Sequence, residues 1–93
     1  MIIAREIKVR GRVQGVNFRH YTREEALKRG IRGTIENADD GSVIICAEGE
    51  EGEMRLFLEW CRKGPSRAII ESIEVRESVP KGYQDFVIRR KFF

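Results

Sequence analysis

Ninety-three residues are enough for one two-layer core and too few for two independent ones, so a single domain over residues 1–93 with one site or binding face is expected. Charged residues make up 35% and hydrophobic residues 41%, a balance that excludes a disordered chain and predicts a folded core under a solvated shell. The net charge of +3, from 18 Lys and Arg against 15 Asp and Glu, favours anionic ligands without choosing among nucleic acid, phosphate and carboxylate.

No cationic leader with an apolar core opens the chain, and no apolar run approaches the roughly 20 residues that span a bilayer. A cytoplasmic protein with no membrane association is expected. Cys46 and Cys61 form no CxxC pair and His20 is the only histidine, so a thiolate and imidazole zinc site lacks ligands. No metal and no cofactor is expected, and the two cysteines read as reduced thiols. A disulfide between a strand cysteine and a helix cysteine is the alternative.

From Ile3 to Val13 the apolar residues Ile3, Ile7, Val9 and Val13 alternate with Glu6, Lys8, Arg10 and Arg12, the period of a half-buried strand. His20 to Arg29 holds helix formers without proline, and Gly30 is a stop signal. Ile31 to Asn37 alternates again and runs into Ala38, Asp39, Asp40 and Gly41, a turn with glycine where positive φ is expected. The segment SVIICAE, residues 42–48, completes a hairpin.

Met54, Phe57, Leu58 and Cys61 fall at helical spacing between Glu53 and Arg62, and Gly64 with Pro65 ends that helix. Ile69 to Val75 predicts a fourth strand, Pro80 to Gly82 a turn, and Phe86 to Ile88 a last strand. The order is βαββαβ with an extra terminal strand. It predicts a split βαβ arrangement, an α/β (α+β) sandwich of an antiparallel sheet with both helices on one face.

Between the first strand and the first helix lies GRVQGVNFRH, Gly11 to His20. A loop grips phosphate when consecutive backbone N–H groups converge on it, and glycine permits the tight turn this needs. Gly11 and Gly15 supply that freedom, the helix N-terminus adds its free amides and dipole, and Arg19 adds a planar donor fork. By pattern alone, a plain turn with a solvated Arg19 remains the competing reading. The nucleotide loops GxxxxGK[ST] and GxGxxG are both absent.

GRVQGVNFR, Gly11 to Arg19, closely resembles the signature loop of the acylphosphatase family, small ferredoxin-like enzymes that hydrolyse carboxyl-phosphate anhydrides. GIRGTIENADDGSV, Gly30 to Val43, resembles the family's second motif, in which an asparagine ends the second strand before the turn. FLEWCRKGPSRAIIESIEV and GYQDFVIRR fit its second helix and final strands, so almost the whole chain is covered. The resemblance implies that Gln14, Gly15, Val16, Asn17, Phe18 and Arg19 form the phosphate-binding loop, and that Asn37 positions the attacking water. Asn17 stands where glycine or an aromatic is frequent, and Thr34 replaces a usual tryptophan or tyrosine.

The implied activity is metal-free hydrolysis of a small-molecule acyl phosphate by a monomer, with inorganic phosphate or sulfate as a product-like ligand. Asp39 and Asp40 beside Gly41 read as turn chemistry rather than a Mg²⁺ site. His20 reads as a surface or edge residue. Two other readings compete: a catalytically idle domain of the same family, and a nucleic-acid-binding module on the same topology. The second lacks interleaved aromatics on its first and third strands, so no nucleic acid is expected.

Overall fold

The computed structural model describes residues 1–90. In chain order these form β1 (Ile2–Arg12), α1 (Phe18–Lys28), β2 (Arg32–Asn37), β3 (Val43–Glu50), α2 (Glu51–Lys63), β4 (Ile69–Ser78) and β5 (Phe86–Arg89). The strands make one sheet in the order β4-β1-β3-β2-β5.

Alternation along the strands builds the two faces. Ile7 and Val9 of β1, Ile35 of β2, and Val43 and Ile45 of β3 are fully buried, together with Phe18 and Ala26 of α1 and Met54, Phe57 and Cys61 of α2. Each such large apolar side chain contributes roughly 1.5–3 kcal/mol by leaving water. Both helices therefore share one face. Opposite charges meet across strands on the other face: Glu6 is opposite Arg76, and Lys8 is opposite Glu74.

The three pairings among β1 to β4 are antiparallel, as expected. The extra terminal strand β5 joins the far edge parallel to β2, with Gly33 opposite Phe86 and Ile35 opposite Ile88. The reason lies in the crossover. β4 and β5 occupy opposite edges, so residues 79–85 must traverse the sheet's width. Glu48, 2% exposed, holds that crossover by accepting the backbone N–H groups of Lys81, Gly82 and Tyr83 at 2.8–2.9 Å. Phe86 then meets Phe57 edge to face, with ring centroids 6.4 Å apart.

Element boundaries shift modestly from those expected. α1 begins at Phe18 rather than His20, which brings Arg19 into its first turn, and β4 continues past Val75 to Ser78. At the other end of β4, β1 carries a bulge between Arg10 and Gly11. A Cβ at Gly11 would lie 2.0 Å from the Ile69 carbonyl oxygen, and φ there is +134°. Only glycine lets β1 pass so close to β4 before it turns Val13 into the core.

Cys46 and Cys61 are free thiols on opposite faces of the sheet, which removes the disulfide alternative. Burial pushes the Cys61 thiol up to about 12. It is an inert core residue.

Candidate active site

After the bulge, the chain runs through residues 13–17 and enters α1. Val13 is buried, Val16 packs against the core and Phe18 is buried beneath Trp60, their rings 6.2 Å apart. These apolar anchors fix the loop from below. Gly15 takes φ +77°, and Asn17 takes φ 60°, ψ 26°, the left-handed region that asparagine tolerates better than most residues. Departures of this kind within a few residues turn successive N–H groups toward a common point.

The start of α1 leaves that point open. Asn17 makes no side-chain capping bond, and the first turn contains no acidic residue. Among the described residues, no acceptor engages the N–H groups from Gly15 to Arg19. α2 differs: Glu51 and Glu53 occupy its first turn. An uncapped helix start with free amides and no carboxylate is suited to an anion.

Arg19 reaches across to β5, where its Nη1 donates to the Arg89 carbonyl oxygen at 3.3 Å. One turn later, Arg23 Nε donates to the Phe86 carbonyl oxygen at 2.9 Å. The two arginines pin α1 to the edge strand. A guanidinium has five donor hydrogens, so the contact with Arg89 leaves most of the Arg19 fork available.

Asn37 ends β2 on the same face as Gly33 and Ile35, by the two-residue period of the strand. Its Oδ1 is buried and has no hydrogen-bond partner among the described residues. A buried acceptor of this kind needs an explanation in chemistry. Arg19 and Asn37 line two shared clefts. One, of about 350 Å³, is bounded also by Gly15, Asn17, Phe18 and His20. The other, of about 520 Å³, is bounded also by Gln14 and Asp39.

The residues expected at the site are thus gathered, but not all in the same way. Gly15, Asn17 and Arg19 face the first cleft, whereas the side chain of Val16 packs against the core and that of Phe18 is buried within it. For Val16 the backbone amide is what the site can use. Gln14 spends its side-chain amide on the Ala38 and Ser42 carbonyl oxygens, at 2.9 Å each. This clamp on the turn after Asn37 has no periodic signature in the sequence. An isolated glutamine in a short loop was its only sign.

Asp39 and Asp40 do not come together with a third ligand; among the described residues no group of three His, Cys, Asp or Glu is placed to hold a metal. Asp40 accepts from the Ser42 N–H and hydroxyl and pairs with Lys8 at 3.1 Å. The Ser42 bonds first, and Lys8 second, hold its carboxyl well below the usual carboxylate range. Gly41 takes φ +91°, as the turn requires. His20 is exposed, 3.7 Å from Glu24 and edge-on to Tyr21. Thr34 lies on the face opposite Asn37, beside Cys46 and Val87.

Comparison with known proteins agrees with this geometry. Residues 5–88 match the family model described as Acylphosphatase. An acylphosphatase of Thermotoga petrophila is 48% identical over 86 residues, covering 92% of this chain and 96% of the relative. One of Archaeoglobus fulgidus is 41% identical over 87 residues, covering 94% and 98%. The crystal structure of acylphosphatase from Bacillus subtilis superposes with a TM-score of 0.92 at 40% identity, covering 97% of this chain and all of that one.

Proposed function

Since the chain belongs to the acylphosphatase family and hydrolyses the carboxyl-phosphate bond of acyl phosphates, we propose that Arg19 and Asn37 carry the reaction on the Gln14–Arg19 loop. The observation that carries this reading is the meeting of the two residues, from different elements, at one cleft beside unengaged amides.

The chemistry asks little of the protein. The leaving carboxylate has a conjugate acid pKa of about 4 and departs without protonation, so no general acid is needed. Phosphoryl transfer passes through a loose transition state in which positioning and charge stabilisation on the equatorial oxygens dominate. The N–H groups from Gly15 to Arg19 and the free part of the Arg19 fork supply that stabilisation. The Asn37 amide holds the water for in-line attack, which gives its buried oxygen a partner. The mechanism uses no metal and no titrating side chain.

The enzyme acts as a monomer in the cytoplasm in this reading. Both cysteines are free thiols, as a reducing compartment keeps them. No helix among the described residues is long and apolar enough to cross a membrane.

Titration with inorganic phosphate or sulfate, followed by amide NMR shifts, tests the site. The largest shifts are expected at Gly15 to Arg19, with a dissociation constant that matches competitive inhibition of benzoyl phosphate hydrolysis. Shifts centred elsewhere, or inhibition that is not competitive, would overturn the assignment.

A further inference from the structure

The loop grips the phosphoryl group and is indifferent to what the phosphoryl is attached to, but β5 is not. Phe86 and Ile88 face the helix layer by strand alternation, and Arg90, next in that alternation, lines both clefts. It has no hydrogen bond or ion pair among the described residues. Among the described residues, the first cleft contains Arg19, His20 and Arg90 and no carboxylate. Asp39 lines the second. The second combines that aspartate with Arg19, Arg89 and Arg90, so an additional negative charge is welcome in both clefts and meets no carboxylate of the described residues in the first.

In-line attack fixes which side the acyl part occupies. Water held at Asn37 enters opposite the leaving oxygen. The acyl part thus leaves on the side of the phosphoryl group away from the held water, within the cleft that Ile88 and Arg90 also line. With Arg19 committed to the phosphoryl group, the geometry points to Arg90 as a specificity residue that receives a second anionic group, carboxylate or phosphate, carried on the acyl part of the substrate. Ile88 offers apolar contact to the body between the two charged ends. This inference rests on the phosphate-site reading above.

Hydrolysis of 4-carboxybenzoyl phosphate compared with 4-carbamoylbenzoyl phosphate isolates the charge, because the two differ little in size. An exposed charge pair is worth at most about 1 kcal/mol, so the kcat/KM ratio is expected to favour the carboxylate about 3- to 5-fold at low salt. It should fall toward one as salt screens the pair. Arg90→Gln is expected to bring the ratio to one with benzoyl phosphate turnover changed less than twofold, and Arg90→Lys to restore part of it.

A wild-type ratio near one overturns the inference, as does a ratio unchanged by Arg90→Gln. Equal losses on all three substrates also overturn it, since Arg90 would then hold the phosphoryl group. Failure of the underlying site reading has a separate signature: an Arg19→Ala enzyme that keeps wild-type turnover of benzoyl phosphate.

Discussion

Gln14 and Ala38 are joined by a 2.9 Å hydrogen bond across 24 residues of sequence, and the same amide nitrogen reaches the Ser42 carbonyl oxygen. The phosphate loop and the turn that follows Asn37 are thereby held in one register. Gln14→Leu removes both bonds, while each carbonyl keeps a backbone donor, the Gly41 N–H at Ala38 and the Ala38 N–H at Ser42. A stability loss of about 1–3 kcal/mol is expected, and it should lower Tm by several degrees in a domain of this size. Because Asn37 sits at the start of the clamped turn, kcat should fall while phosphate affinity changes little. Gln14→Glu, which keeps the shape but sets an acceptor-only carboxylate against both carbonyl oxygens, should lose at least as much as Gln14→Leu; unchanged Tm and kcat in both would refute the clamp.

Arg19→Ala removes the only side-chain cation of the α1 first turn that lines both clefts. Turnover is expected to fall by about 10² or more, with phosphate inhibition lost in parallel. Arg19→Lys should restore only a small part. A lysine can reach either the Arg89 carbonyl or the phosphoryl group, but it lacks the planar fork that serves both. Full rescue by lysine would mean that a point charge suffices.

Asn37→Ala is expected to lower kcat by roughly 10² to 10³, the scale for loss of one positioned polar group, and to leave the phosphate inhibition constant nearly unchanged. Equal losses in both measurements would place Asn37 on the phosphate or in the fold instead.

With Arg19 charged throughout and Asn37 non-titrating, kcat should stay nearly flat between about pH 5 and 8. His20 lines the first cleft, and histidine is the side-chain type that serves as a general base in that window, so His20→Gln is the control. A rate that rises through a pKa near 6.5 in the wild type and loses the rise in His20→Gln would make His20 a general base.

Asp40 ties stability to acid. Its folded carboxyl is held below its unfolded value, chiefly by Ser42, so the folded state binds its proton less readily than the unfolded one. The contribution is present above an unfolded pKa near 4 and is lost as pH falls from there toward the folded value. Thermal melts from pH 7 to pH 2 should show wild type and Asp40→Asn apart at neutral pH and converging below about pH 4. A separation independent of pH would show that the carboxylate charge is not what Ser42 and Lys8 recognise.

Much of this arrangement was legible in the sequence, and the remainder was hidden for definable reasons. The period of two in β1 and β2 and the helical spacing of Met54, Phe57 and Cys61 report burial on one face, and burial is what they have. β4 beyond Val75 is exposed on both sides at an edge, so no period marks it. The parallel partner of β5 depends on Glu48 gripping the crossover amides, a contact between residues 33 to 35 positions apart. The loop and Asn37 were readable through a family resemblance. The Gln14 clamp and the place of Arg90 follow only from the folded chain, because a polar residue in a loop or beyond a strand end leaves no pattern.

The crossover that Glu48 holds is also a matter of reach. From β4 to β5 the sheet spans four interstrand spacings, about 19 Å. The eight Cα steps from Ser78 to Phe86 extend to roughly 26–29 Å when fully drawn out. The tether has slack for about two residues and none for a third, which would leave about 17–18 Å. A three-residue deletion between 79 and 85 would therefore pull β5 off its edge and take with it the carbonyl that steadies Arg19. The length of a segment remote from the phosphate loop thus sets whether the arginine is held in place.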